Sequence, residues 1–319
     1  MTTAAATVSA AAPATAPTLA SRHRARALPA IRTPAAMTEM AIQAAPAPVK
    51  APAMAPVMAP AMVPVTVLHS ASIAIDGTAP LLLTGYGAYG YSYETGYSAP
   101  VLALVDRGWV WAVAHVRGGG EKGRSWFEQA RALRKKTSFT DFVACAEALI
   151  ESRHSRAKRI AIHGFSAGGL LVGVADNMRP GLWSAVIAQA PFVDMLNTMS
   201  DATHPLVPLT RPVWGDPLSS PQAYDYIASY SPYENVRRQA YPATLATTAI
   251  GDDRVGFWEP AKWIANLRRR STSGEPMLLH TETAGGHQGA SGRFDELAQF
   301  ARMYAFAIWR TVGLPARRA

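Results

Sequence analysis

R-I-A-I-H-G-F-S-A-G-G, residues Arg159–Gly169, joins a short apolar run to a helix-compatible segment, Leu170–Met178. Ser166 stands between Gly164 and Gly168, two residues to either side. Strand, sharp turn and helix in this order are the setting in which G-x-S-x-G is a nucleophile elbow. The turn is strained and its backbone passes close to its neighbours, which only small residues permit. The helix that follows presents its first N–H groups to the site and favours negative charge there. Five residues also fit a glycine-rich turn with an incidental serine, so the rest of the chain has to decide.

Of the 319 residues, 49% are hydrophobic, enough for one large core or two modest ones. The single cysteine, Cys145, excludes an internal disulfide framework and a cysteine-based zinc site, and it suits a reducing compartment. The net charge of +9 divides into five Lys/Arg against one Glu over residues 1–75, and 26 basic against 21 acidic residues beyond. So diffuse a surplus describes a solvated surface and not a nucleic-acid footprint.

Residues 1–62 read as a disordered Ala/Pro-rich tail and linker. No aromatic residue precedes Tyr86, and prolines recur at Pro52, Pro56, Pro60 and Pro64. Ala51–Leu68 is uncharged, but a proline in every turn would leave carbonyls unsatisfied in lipid, so no membrane span is expected. The first 38 residues lack acid and carry Arg22, Arg24, Arg26 and Arg32. A cytoplasmic protein is expected, with organelle import through this acid-free segment as the alternative.

From Val63 the composition becomes that of a globular domain, 63–319. Val63–His69 and Ser72–Ile75 read as edge strands, Pro80–Thr84 and Trp109–Val116 as buried ones. A helix follows with Ser138 as its cap, Asp141 three residues on, and Phe142, Val143, Ala146, Leu149 and Ile150 along one face. Strands are further expected at Ser184–Ala190, Ala243–Ile250 and Met277–Glu282, with helices at Trp258–Arg270 and Arg293–Arg310. Alternating strands and helices predict an α/β fold, a mostly parallel sheet covered on both faces, with no second domain.

A nucleophilic serine needs a base, and the base an orienting carboxylate. In such sheets these groups stand on loops after strand carboxyl ends. Ala243–Ile250 runs into G-D-D-R, offering Asp252 and Asp253; Met277–Glu282 runs into T-A-G-G-H, offering His287. The order Ser, Asp, His is the one this architecture uses. The N–H of Ala167 is the natural first oxyanion donor. The loop after Pro80–Thr84 has no run of glycines for the second, but Tyr86 in G-Y-G can donate its phenol.

G-Y-G-A-Y-G, L-V-D-R-G-W-V-W-A-V-A-H-V-R-G-G-G-E, G-F-S-A-G-G-L-L, S-Y-S-P-Y-E-N-V, W-E-P-A-K-W and G-G-H-Q-G-A-S-G-R-F together resemble the catalytic domain of the prolyl oligopeptidase family, nearest to its oligopeptidase B branch. The resemblance implies an α/β-hydrolase fold and a serine peptidase without metal or cofactor. By the same resemblance Ser166 is the nucleophile, His287 the base, Asp252 the triad carboxylate in preference to Asp253, and Tyr86 the second oxyanion donor. Arg254 matches an arginine that holds a substrate carbonyl, and Glu94 an acidic position serving a neighbouring subsite.

Two departures stand out. Where these enzymes carry a β-propeller, this chain has only the tail. The loop before Trp214, where oligopeptidase B relatives place acidic residues, reads L-T-R-P-V and offers Arg211 instead. The expectation is a serine peptidase acting on peptides with altered side-chain selectivity. An esterase, an acyl-peptide hydrolase or a catalytically poor remnant lacking the propeller are the alternatives. Oligomeric state is not legible.

Overall fold

The computed structural model describes residues 35–44, 61–290, 292 and 294–313. The rest of the stretch read as tail and linker lies outside them.

In chain order the elements are β1 (Ala35–Ala44), β2 (Ala61–Ser70), β3 (Leu81–Gly85), α1 (Ala99–Val105), β4 (Val110–Ala114), α2 (Arg124–Glu128), α3 (Lys136–Glu151), β5 (Ile160–Phe165), α4 (Ala167–Met178), β6 (Trp183–Gln189), α5 (Met195–Met199), α6 (Val207–Trp214), α7 (Pro221–Ala228), β7 (Ala243–Ala249), α8 (Trp258–Arg270), β8 (Met277–Glu282) and α9 (Asp295–Thr311). One eight-stranded sheet joins the strands in the order β1-β2-β4-β3-β5-β6-β7-β8. The β1–β2 and β2–β4 pairs are antiparallel and all others parallel.

The parallel strands explain the continuous apolar runs of the sequence. Every residue of Leu81–Gly85 and of Val110–Ala114 is buried, because helices cover both faces. One face packs α3, α4 and α8 around Phe142, Leu149, Leu171, Trp183 and Trp263. The other packs α1 and α9 around Leu104, Trp109, Ile187, Met303 and Phe306.

Four details differ from the expectations. First, Ala35–Ala44, inside the stretch read as tail, is a strand. Thr38, Met40 and Ile42 stand opposite Val67, Val65 and Val63 of β2, so a two-residue alternation in a small-residue segment found a partner. Second, Ser72–Ile75 is no strand. The chain turns where the Ile73 N–H donates to the Ser70 carbonyl (3.1 Å), and Asp76 Oδ1 accepts from the Thr78 N–H and hydroxyl. Third, Ser138 does not cap α3: it lies buried inside the helix, its hydroxyl donating to the Arg117 carbonyl at 2.5 Å. Asp141 is no capping partner either, but holds the Arg117 guanidinium at 2.6 Å. Fourth, α1 and α7 begin at caps that sequence reading passed over. The Ser98 and Ser220 hydroxyls accept from the Val101 and Ala223 N–H groups.

Candidate active site

The elbow connects β5 to α4 at the middle of the sheet. Ser166 has φ 57° and ψ −115°, a left-handed conformation that costs energy in a non-glycine residue and persists because its surroundings over-determine it. Its N–H donates to the Gln189 carbonyl (2.8 Å), and its carbonyl accepts from the Gly169, Leu170 and Phe192 N–H groups. The two glycines of the motif are close-approach positions. A Cβ on Gly164 would lie 2.0 Å from the Gly168 carbonyl oxygen, and one on Gly168 would lie 2.7 Å from that of Gly85. The second contact presses the elbow against the end of β3 and so brings the Tyr86 loop beside Ser166.

Tyr86 is half-buried, with its ring against Tyr91 (centroids 5.3 Å). Burial, and then Tyr91, raise its phenol pKa, while a hydrogen bond with the Ser166 side chain and the Arg254 charge pull the other way. Ala167 opens α4, where a first-turn N–H has no acceptor within the helix.

Beyond the end of β7, Asp252 turns its carboxylate inward. Its side chain is fully shielded from solvent, and its Oδ1 accepts from the Arg254 and Val255 N–H groups, both at 2.9 Å. From the loop after β8, His287 Nδ1 meets Asp252 Oδ2 at 2.8 Å and Oδ1 at 3.0 Å. The Phe165 ring packs on the imidazole with centroids 4.8 Å apart. Burial pushes the Asp252 carboxyl up, but the hydrogen bond from His287 and the two backbone N–H groups outweigh it and hold the pKa below the ordinary value. Asp253, the neighbouring candidate, is exposed. A carboxylate kept ionised against Nδ1 fixes the tautomer that leaves Nε2 free to accept a proton.

The residues suggested for substrate binding are placed differently. Arg254 is exposed, and its charge acts on Tyr86. Glu94 is exposed and lines a cavity of about 140 Å³ with Tyr93, His163, Phe300 and Tyr304. Burial there pushes the His163 pKa down to about 4. Arg211 pairs with Asp216 (3.5 Å), while Arg131 Nη1 donates to the Pro212 carbonyl at 2.8 Å. Glu128, which reaches this segment only through Arg131, is itself bound by Arg124 and Arg131. The segment closes on Trp214, which packs with Tyr89 and Phe192 and donates its indole N–H to the Tyr89 hydroxyl.

Sequence reading gave no role to the buried Arg117, Lys135 and Glu259, and took Asp141 for a capping partner when it pairs with Arg117. Arg117 and Glu259 sit in quoted motif stretches and Lys135 and Asp141 do not, but for all four only the fold shows what they touch. Among the described residues, no group of three or more His, Cys, Asp or Glu side chains is placed to hold a metal ion, and no helix is long and apolar enough to cross a membrane.

A parallel sheet with a strained serine elbow at its centre, and an Asp–His pair at the ends of later strands, defines the α/β-hydrolase architecture. Comparison with known proteins is specific. The pattern of the prolyl oligopeptidase family matches residues 95–311, and the chain belongs to that family. It is 41% identical over 244 residues to dipeptidyl aminopeptidase BI of Pseudoxanthomonas mexicana, covering 76% of this chain and 34% of that protein. Protease 2 of Moraxella lacunata is 42% identical over 244 residues, with 76% and 35% covered. Among solved structures, oligopeptidase B of Leishmania major superposes with a TM-score of 0.80 at 35% identity, over 88% of this chain and 37% of that one. Oligopeptidase B of Trypanosoma brucei with covalently bound antipain gives 0.81 at 38%, over 89% and 38%. The chain thus spans about a third of the length of the curated relatives it matches.

Proposed function

We propose that this domain is a serine peptidase that cleaves peptide bonds by acyl transfer. The observation that carries the reading is the solvent-shielded Asp252–His287 hydrogen bond, 2.8 Å long, at the same sheet edge as the strained Ser166. Ser166 Oγ attacks the scissile carbonyl carbon while His287 Nε2 takes its proton. The negative oxygen of the tetrahedral intermediate accepts from the Ala167 N–H and the Tyr86 phenol. Collapse breaks the C–N bond, and His287 returns the proton to the departing amine. Water, deprotonated by the same imidazole, then releases the acid and restores Ser166. Asp252 keeps the imidazole oriented and stabilises its charged form.

Side-chain selectivity follows from the segment ending at Trp214. Asp216 is matched with Arg211 and Glu128 with Arg124 and Arg131, so neither carboxylate stands alone for a substrate cation. A buried cationic side chain without a partner costs several kcal/mol. Trp214, Tyr89 and Phe192 instead form an aromatic wall. The bond cleaved therefore follows an uncharged residue. Glu94 and Arg254, both exposed, act further along the substrate, on a basic side chain and on the backbone respectively.

A fluorophosphonate probe tests the reading. Wild type is expected to label at Ser166 and Ser166→Ala not at all, with matching loss of hydrolysis of short peptides. Folded wild type that takes no label overturns it. Labelling with ester but no peptide hydrolysis turns the assignment to an esterase.

A further inference from the structure

Lys135 is 2% exposed, yet no carboxylate lies within ion-pair distance of it among the described residues. It stands at the N-cap of α3, where a cation opposes the helix dipole, so the helix does not explain it. Its Nζ donates instead to the Gly87 carbonyl and, at 2.9 Å, to Ser138 Oγ. Burial lowers the pKa of this side chain to about 7, and its Nζ, a donor whether or not it is charged, also lies over the rings of Trp214 (5.1 Å) and Phe139 (5.9 Å). Gly87 is the residue after Tyr86.

We propose that Lys135 is a positioning residue for the oxyanion site, clamping the peptide that follows Tyr86 so that its phenol is held against Ser166. The inference rests on the reading of Tyr86 as an oxyanion donor. The clamp has a second jaw in the R-G-G-G turn. Asp141 grips the Arg117 guanidinium at 2.6 and 2.8 Å and its N–H at 3.1 Å, and Ser138 Oγ donates to the Arg117 carbonyl. That holds Gly118 so close that a Cβ there would lie 2.2 Å from the Gly87 carbonyl oxygen. Gly87 itself has φ +66°, and a Cβ on it would meet Val116 Cγ2 at 2.5 Å. The Tyr86–Gly87 turn is thus fixed by the glycine turn and by the Lys135 Nζ. The same Nζ packs over Trp214, so the clamp joins the oxyanion loop to the aromatic wall.

A double-mutant cycle separates this role from simple support of the fold. Lys135→Met keeps the length and apolar stem but removes the donor. Its kcat is expected to fall ~10–100-fold with KM within about twofold, because a mispositioned oxyanion donor weakens the transition state alone. In wild type Tyr86→Phe is expected to cost ~10² in kcat; in the Lys135→Met background it costs only ~1–10-fold, the part of that effect the displaced phenol has not already lost. Ser138→Ala, which keeps the lysine and loosens its second contact, gives the same coupling in smaller measure and serves if Lys135→Met does not fold. A full ~10² Tyr86 effect in both backgrounds, or a change carried by KM, overturns the clamp while leaving Tyr86 as the donor. A Tyr86→Phe variant as active as wild type overturns the reading of Tyr86 and the clamp together. Run on the rate of fluorophosphonate labelling, the cycle gives the same comparison without a peptide substrate.

Discussion

Asp252 and Glu259 stand on one connection, the loop and first turn between β7 and α8, and their surroundings take them in opposite directions. Both carboxylates are shielded. For Asp252 burial is the largest influence, but an imidazole and two backbone N–H groups overcome it, and the acid is held below its ordinary pKa. For Glu259 burial wins and raises the pKa to about 8. The Thr198 hydroxyl (2.7 Å) and the Asp194 N–H (2.9 Å) are too few to reverse it, and the charge of Asp194 adds to the rise. Burial by itself therefore says nothing about charge state. The donors around the carboxylate decide it.

Breaking each member of the pair sharpens the contrast. Asp252→Asn is expected to lower kcat by ~10⁴, as when a triad carboxylate is neutralised and the imidazole tautomer is lost. Asp253→Asn changes it only a few-fold, since that side chain is exposed. Equal losses in steady-state kinetics would break the assignment. Next in size comes selectivity. For matched peptides with Arg, Ala, Phe or Glu before the leaving group, kcat/KM for Arg is expected not to exceed that for Ala or Phe. A hundredfold preference for Arg, about 2.7 kcal/mol at the transition state, would show that a carboxylate reaches the pocket.

The smallest effect falls on Glu259 and is read as stability. Its proton is bound more tightly in the folded chain than in the unfolded one. The stability this contributes is complete below pH 4.5, declines as pH rises and is gone above about 8. Glu259→Gln keeps its carbonyl oxygen as acceptor for the Asp194 N–H, while the Thr198 hydroxyl can rotate to accept from the amide NH2, and it cannot titrate. Its Tm relative to wild type should rise steadily between pH 4.5 and 8 and level off above. A Tm difference that is flat with pH would mean the carboxyl is ionised throughout. Activity near neutral pH is expected to change little, which sets Glu259 apart from Asp252.

What was legible in the sequence followed from burial pattern. Parallel strands covered on both faces read as apolar runs, which placed β3, β4 and β6 within a residue or two; β7 and β8, with threonines and a polar end, were placed as closely, and with them the loops that carry Asp252 and His287. Short helices between α4 and β7 were not, because α5, α6 and α7 carry too few turns for a period to show, and α6 contains Pro212. Ser138 failed as a cap because a serine before an acid three residues on fits a capping box equally well as two buried partners of one arginine residue, Arg117. Lys135, 48 residues from Gly87, could not be read at all. Its meaning lies in a contact between two segments that the sequence keeps apart. The glycines of G-Y-G-A-Y-G and R-G-G-G were visible as motifs, but their purpose, the packing of one turn on the other, was not.

The strand order has a consequence in time. Ribosomes deliver the chain from its amino end, and domains gather as they emerge. Strands β2 to β6, the middle of the sheet, precede β7 and β8, which extend it outward to one edge. Ser166 is therefore delivered long before His287, which arrives only after the outermost strand β8 has been made. On the proposed mechanism a nascent chain carries its nucleophile without a proton acceptor, and is harmless to its neighbours until the sheet is finished.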